Sequence, residues 1–126
     1  MPKVNLPGPE ADQRGNVQGW LQVDKRVHQK MWQFGLKNPT ALSVLHFLTS
    51  RLARGSNGVV MSYAAMSSAM GLAERTSKNA LAALAQAQFI KIPQSGMSKV
   101  HLINSQVAWS GGRGAGCAAF SAEIFV

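Results

Sequence analysis

Acidic residues are nearly absent from the body of this chain. Of its 126 residues, five are Asp or Glu and 13 are Lys or Arg. Between Lys25 and Ala122 the only acid is Glu74, against 11 basic residues. A field of one sign attracts polyanions and speeds their capture, which makes nucleic acid the leading partner class and an anionic membrane surface the second. Long apolar runs are lacking as well. None approaches the roughly 18 residues of a spanning helix, and the Lys and Arg residues are dispersed rather than blocked into a polybasic anchor, so no membrane partner is expected. The only cysteine, Cys117, rules out an intrachain disulfide and a cysteine metal cluster, and it fits a reducing cytoplasm. His28, His46 and His101 are far apart, and no HExxH, CxxC or paired-carboxylate spacing occurs. Neither a metal, a cofactor nor an enzymatic activity is therefore expected. His46 reads as a structural residue of a core helix. The glycine-rich stretch Ser110–Gly116 lacks the Lys-Ser/Thr ending of a phosphate loop and reads as a flexible loop whose Arg113 touches the partner. The opening MPKVNLPGPEADQRGN is polar and carries prolines, unlike a signal peptide.

Apolar residues are plentiful, at 46%, enough for one modest core in a chain of this length. Residues 1–18 show no periodicity and read as a flexible N-terminal arm; residues 19–126 read as a single domain. Trp20 to Leu36 holds apolar residues in a pattern that does not decide between strand and helix, with aromatics expected to pack on the domain. A core helix follows, with Asn38 as N-cap, Pro39 at the first position and apolar residues at Ala41, Leu45, Leu48 and Leu52. Arg51 and Arg54 occupy its last turn and Gly55 ends it. Val59–Met61 reads as a short strand. Ser62 caps a second helix, Tyr63–Met70, with Tyr63, Met66, Ala69 and Met70 inward and Gly71 as its end. A third helix is predicted from Glu74 to Gln88. Phe89–Ile92 and Lys99–Ile103 form a hairpin around the turn Pro93–Gly96. Beyond Asn104, Val107–Trp109 suits a strand or a turn, and Ala119–Val126 an apolar edge. The fold class is mainly α with a small β hairpin, and the order helix, strand, helix, tight turn, helix, hairpin is that of a winged helix-turn-helix.

The third helix carries the chemistry. At about 100° per residue, Ser77, Leu81, Leu84 and Gln88 share one side. Arg75, Asn79 and Gln86 then fall nearly opposite, with Lys78 and Ala82 on the flanks. Arg and Asn read guanine and adenine edges bidentately, and a helix crossed over its predecessor at Gly71 can enter a major groove about 12 Å wide. Glu74 either accepts from cytosine or serves the helix dipole.

The segment GLAERTSKNALAALAQAQFIKI resembles the turn, recognition helix and first wing strand of bacterial winged-helix regulators. With SKVHLINSQVAWSGG and FSAEIFV added, residues 38–126 resemble the RepL-like replication and maintenance proteins of bacterial plasmids. The resemblance implies that Arg75, Thr76, Lys78 and Asn79 face the groove, and that Ser62 and Tyr63 lie by the phosphate backbone. In the wing, Lys91, Ser98 and Lys99 either hold the adjacent backbone or minor groove or are solvated charge. Two positions depart from the family pattern: Ser77 stands where Val or Ile is usual, and Ala73 where a Ser or Thr cap is usual. The expected function is sequence-specific binding of double-stranded DNA in the bacterial cytoplasm, in plasmid replication or maintenance or as a transcriptional repressor. The alternatives are a winged-helix protein-interaction module, which would present a neutral recognition face, and an RNA-binding protein, whose A-form grooves suit this helix poorly. A homodimer through the first helix, the Trp20–Leu36 segment or the terminal segment stays open.

Overall fold

The computed structural model describes residues 10–11, 17–18, 21, 23–52, 57–92, 100–108 and 123–124. Within the proposed arm, β1 (Glu10–Ala11) and β2 (Val17–Gln18) pair antiparallel; the rest of residues 1–18 lies outside the described residues.

The segment whose pattern was undecided is a helix, α1 (Lys25–Lys37). Asp24 caps it by accepting from the Arg26 backbone N–H at 2.8 Å, and the Arg26 side chain, by hydrogen bonding, holds the Asp24 carboxyl below the usual carboxylate range. Val27, Met31 and Phe34, at helical spacing, form its buried stripe. Its aromatics do not all pack inward as expected. Phe34 is buried, edge-on to Phe89 with centroids 5.0 Å apart, but Trp32 is 55% and Leu36 76% exposed. Trp20 lies outside the described residues.

Asn38 caps backwards. Its backbone N–H and its Nδ2 both donate to the Phe34 carbonyl, at 2.9 and 3.3 Å, closing α1, and its side chain makes no cap bond to the helix that follows. That helix, α2 (Pro39–Ser50), starts at Pro39 as expected but stops short of Gly55. In its last turn Thr49 Oγ1 donates to the His46 carbonyl at 3.0 Å and Ser50 Oγ to that of Phe47 at 2.6 Å, which competes with helical continuation. Arg51 is the C-cap, its guanidinium 4.9 Å above the Phe47 ring; Arg54 and Gly55 lie outside the described residues. His46 is exposed on α2 rather than structural, and the buried histidine is His101.

β3 (Gly58–Val60) leads to α3 (Tyr63–Met70), capped by Ser62 Oγ, which accepts from the Ala65 N–H at 3.1 Å. Gly71 ends α3 with φ 68°, and the Leu72 N–H returns to the Ser67 carbonyl at 2.9 Å. This left-handed stop is one that glycine makes without steric cost. On α3, Met66 and Ser67 are buried, and Tyr63 and Met70 pack half-buried against the core as expected; Ala69 is exposed, contrary to expectation. α4 (Glu74–Gln86) ends two residues earlier than the periodicity suggested. Gln88 takes φ 67°, so it belongs to the turn and not to the helix face. It is held there by the Phe89 N–H bond to the Leu84 carbonyl at 3.0 Å, and by Asn104 Nδ2 donating to its own carbonyl at 2.9 Å.

The expected short strand joins the hairpin, so the sheet has three strands. β5 (Val100–Ile103) lies centrally, antiparallel to β3 on one side and to β4 (Ile90–Lys91) on the other, with Val59 opposite His101 and Lys91 opposite Leu102. Buried Asn57 fixes the edge: its Nδ2 donates to the Ile103 carbonyl at 2.9 Å, and its carbonyl accepts from the Ile103 N–H at 2.7 Å. The chain is thus mainly helical with a small antiparallel sheet. Its core joins Leu45 and Leu48 of α2, Met66 of α3, Leu81 and Leu84 of α4, and Phe89, Ile90 and Ile103. Ser105–Val107 form a turn rather than a strand, with Val107 and Ala108 buried. Of the terminal apolar segment, Glu123 and Ile124 are described and are not in a strand. Ile124 is buried, and its carbonyl accepts from Lys30 Nζ at 3.1 Å.

Leu81 is 1% exposed at the centre of this core. Leu81→Ala is expected to cost about 2–5 kcal/mol by opening a cavity. Ala82→Ser, at the exposed neighbouring position, is expected to stay within about 0.5 kcal/mol of the parent. Denaturant melts of both variants check this, and near-equal effects would contradict the placement of α4.

Candidate nucleic-acid interface

The candidate interface rests on the corner between α3 and α4. Ser77 is fully buried, and its hydroxyl lies 2.8 Å from that of Ser67, itself 7% exposed. Two hydroxyls buried without partners would each cost about 1–3 kcal/mol. Paired, they satisfy one another and join α3 to α4 at a single register. Ala80, Leu81 and Leu84 complete the buried stripe, with α4 packed chiefly on α2 and α3. Ala73 makes no side-chain cap, so the first turn of α4 keeps Glu74 as its acidic complement.

With that stripe buried, the opposite side of α4 is exposed, and Arg75, Thr76, Lys78 and Asn79 all lie there or on its edges. Lys78 sits on the flank toward α3: its Nζ is 3.6 Å from Glu74 Oε1 and 5.4 Å from the Tyr63 ring centroid. Ser62 is exposed at the start of α3, while Tyr63 is half-buried, its ring 6.2 Å from that of His101. Lys78, Ser62 and Tyr63 are thus drawn to one flank of α4. The Glu74–Lys78 pair is about half exposed on both sides, and such i,i+4 pairs are worth only about 0.3–0.5 kcal/mol. It leaves the Lys78 ammonium available to a stronger anion. Lys91 is exposed on β4, and no described contact ties it to the α4 cluster. Ser98 and Lys99 lie outside the described residues, as do Arg113 and Cys117.

On its other flank α4 borders a feature that sequence reasoning missed. Thr76, Asn79 and Ala83 face Lys37 and Thr40 of the α1–α2 corner across a depression of about 300 Å³. It continues, past Lys37 and Ala83, into a second of about 990 Å³ between α1 and α4, bordered by Lys30, Gln33, Gln86 and Ile124. Among the described residues, no acid lines either depression. In the sequence, Lys37-Asn38-Pro39-Thr40 signals a helix boundary; its place beside α4 depends on how α1 folds back, which local spacing does not encode.

Among the described residues no group of three His, Cys, Asp or Glu could hold a metal ion, and no helix is long and apolar enough to cross a membrane. No family model, curated protein or solved structure matches the chain.

The hydroxyl pair is testable without any ligand. Ser67→Ala or Ser77→Ala should each destabilise the fold by about 1–3 kcal/mol, because each strands a buried hydroxyl. The double variant should cost less than the two singles together by at least about 0.5 kcal/mol. Chemical denaturation of all four proteins gives the cycle; strictly additive losses would show that the two hydroxyls are not coupled.

Proposed function

We propose that this chain is a winged helix-turn-helix protein that binds double-stranded DNA sequence-specifically through α4. Its setting would be the bacterial cytoplasm, in plasmid replication or maintenance or in transcriptional repression. It would act by binding, without catalysis or cofactor. The observation that carries the reading is the division of α4 into two faces. Ser77, Ala80, Leu81 and Leu84 are buried, while Arg75, Asn79 and Gln86 are exposed on the opposite side. The exposed groups are the donors and acceptors that recognise purine edges. Phosphate contacts from Ser62, Tyr63, Lys78, Lys91, Ser98 and Lys99 would set orientation without reading sequence. The excess of 13 basic over five acidic residues supplies the attraction. A protein-interaction role sits less well with a face this rich in charge and amide groups.

Arg75 and Asn79 are exposed, so Arg75→Ala and Asn79→Ala should melt like the parent. Each should lose about 1–3 kcal/mol of discrimination at one or two base positions while retaining non-specific affinity. Binding to duplexes carrying every single-base change in a preferred site provides the measurement. If both variants keep the parent's full base preference, α4 does not read DNA through this face.

A further inference from the structure

A helix with its side chains is about 10–12 Å across, so it fills a major groove about 12 Å wide. Seated there, it has a phosphate ridge along each flank. At about 100° per residue, Glu74, Lys78 and Ala85 mark one flank of α4, and Thr76 and Ala83 the other. The first flank adjoins Tyr63 and Ser62 and holds three of the backbone contacts already proposed, Ser62, Tyr63 and Lys78. The second opens onto the groove between α4 and the α1–α2 corner, and no contact has been assigned to it.

That groove is built for an anionic strand more than for an apolar partner. Ala80 and Ala83 keep its α4 side low, Thr40 and Thr76 border it with hydroxyls, and Lys37 stands on its far wall. Lys37 is exposed and has no carboxylate partner among the described residues. The neighbouring cation, Lys30, is already engaged by the Ile124 carbonyl at 3.1 Å. Among the described residues, Lys37 is therefore the charge in the groove left to meet a phosphate.

We propose that the duplex strand on this side of α4 lies along the groove between α4 and the α1–α2 corner, with Lys37, Thr40 and Thr76 as its phosphate contacts. This rests on the DNA-binding reading and extends the footprint from the helix-turn-helix to the end of α1. Lys37 is a positioning contact there: it neutralises a phosphate and carries no base information.

The test uses the full chain and a short duplex titrated at several salt concentrations. Lys37→Ala should weaken binding about tenfold at low salt, the loss of one charge-assisted hydrogen bond. It should also flatten the log–log salt dependence by about 0.9, one phosphate's worth. Base preference and melting temperature should not move, and Lys37→Arg should restore the slope. Lys25→Ala, on the same helix but about 18 Å away along its axis, should leave the slope unchanged. An unaltered slope and affinity in Lys37→Ala, or an equal drop in Lys25→Ala, would overturn the groove contact while leaving DNA binding by α4 intact. Failure of the parent chain to bind any duplex would overturn both.

Discussion

All that α4 presents to a partner depends on burying its Ser77–Ala80–Leu81–Leu84 stripe against α2 and α3. That one packing decision sets which of its side chains face outward. It depends in turn on two local devices. Gly71 lets the chain reverse in the left-handed region, and the Ser67–Ser77 hydroxyl pair joins the two helices at one level. A Val or Ile in place of Ser77 would pack by shape alone and tolerate small rotations. A buried hydrogen bond at 2.8 Å tolerates less, because misalignment strands two polar groups. Precision in the α3–α4 angle is what base reading requires, since a recognition helix turned on its axis presents different side chains to the groove.

The second constraint is electrostatic. With five acids in the chain, few of the basic residues can find internal partners. The two described ion pairs, Asp24–Arg26 and Glu74–Lys78, are both local along the chain and lie at helix starts. The remaining charge raises self-repulsion and lowers the stability of the free protein. A polyanion relieves that repulsion, so binding and folding favour one another through the same surplus of charge. The depressions beside α4, bordered by Lys30 and Lys37 and lined by no acid among the described residues, place part of the surplus next to the exposed face of α4.

Much of this was legible in the sequence wherever the signal was local. Ser62 before Tyr63–Met70 and Gly71 after it marked α3, and the spacing of Ser77, Leu81 and Leu84 set the inward face of α4. Where two local signals competed, tertiary context chose. Asn38 could cap either of two helices, and it closed α1 because the Phe34 carbonyl was in reach. Gln88 continued the helical period, yet it adopts the left-handed turn because Asn104 holds its carbonyl and Phe89 is drawn into the core. His46 looked internal on an apolar helix, but it falls on the exposed side. The pairing of β3 with β5 and the groove at Lys37 come from contacts between segments far apart in the chain, which no window of neighbouring residues contains.

The central claim is that α4 reads base sequence in duplex DNA, and selection of bound sites from a pool of random duplexes tests it most directly. The account predicts convergence on a short motif, with information concentrated in the few base pairs that α4 spans. Arg75→Ala should converge on the same motif with at least one position relaxed. A pool that is retained but never converges would contradict sequence reading, and a pool that is not retained at all would contradict DNA binding itself.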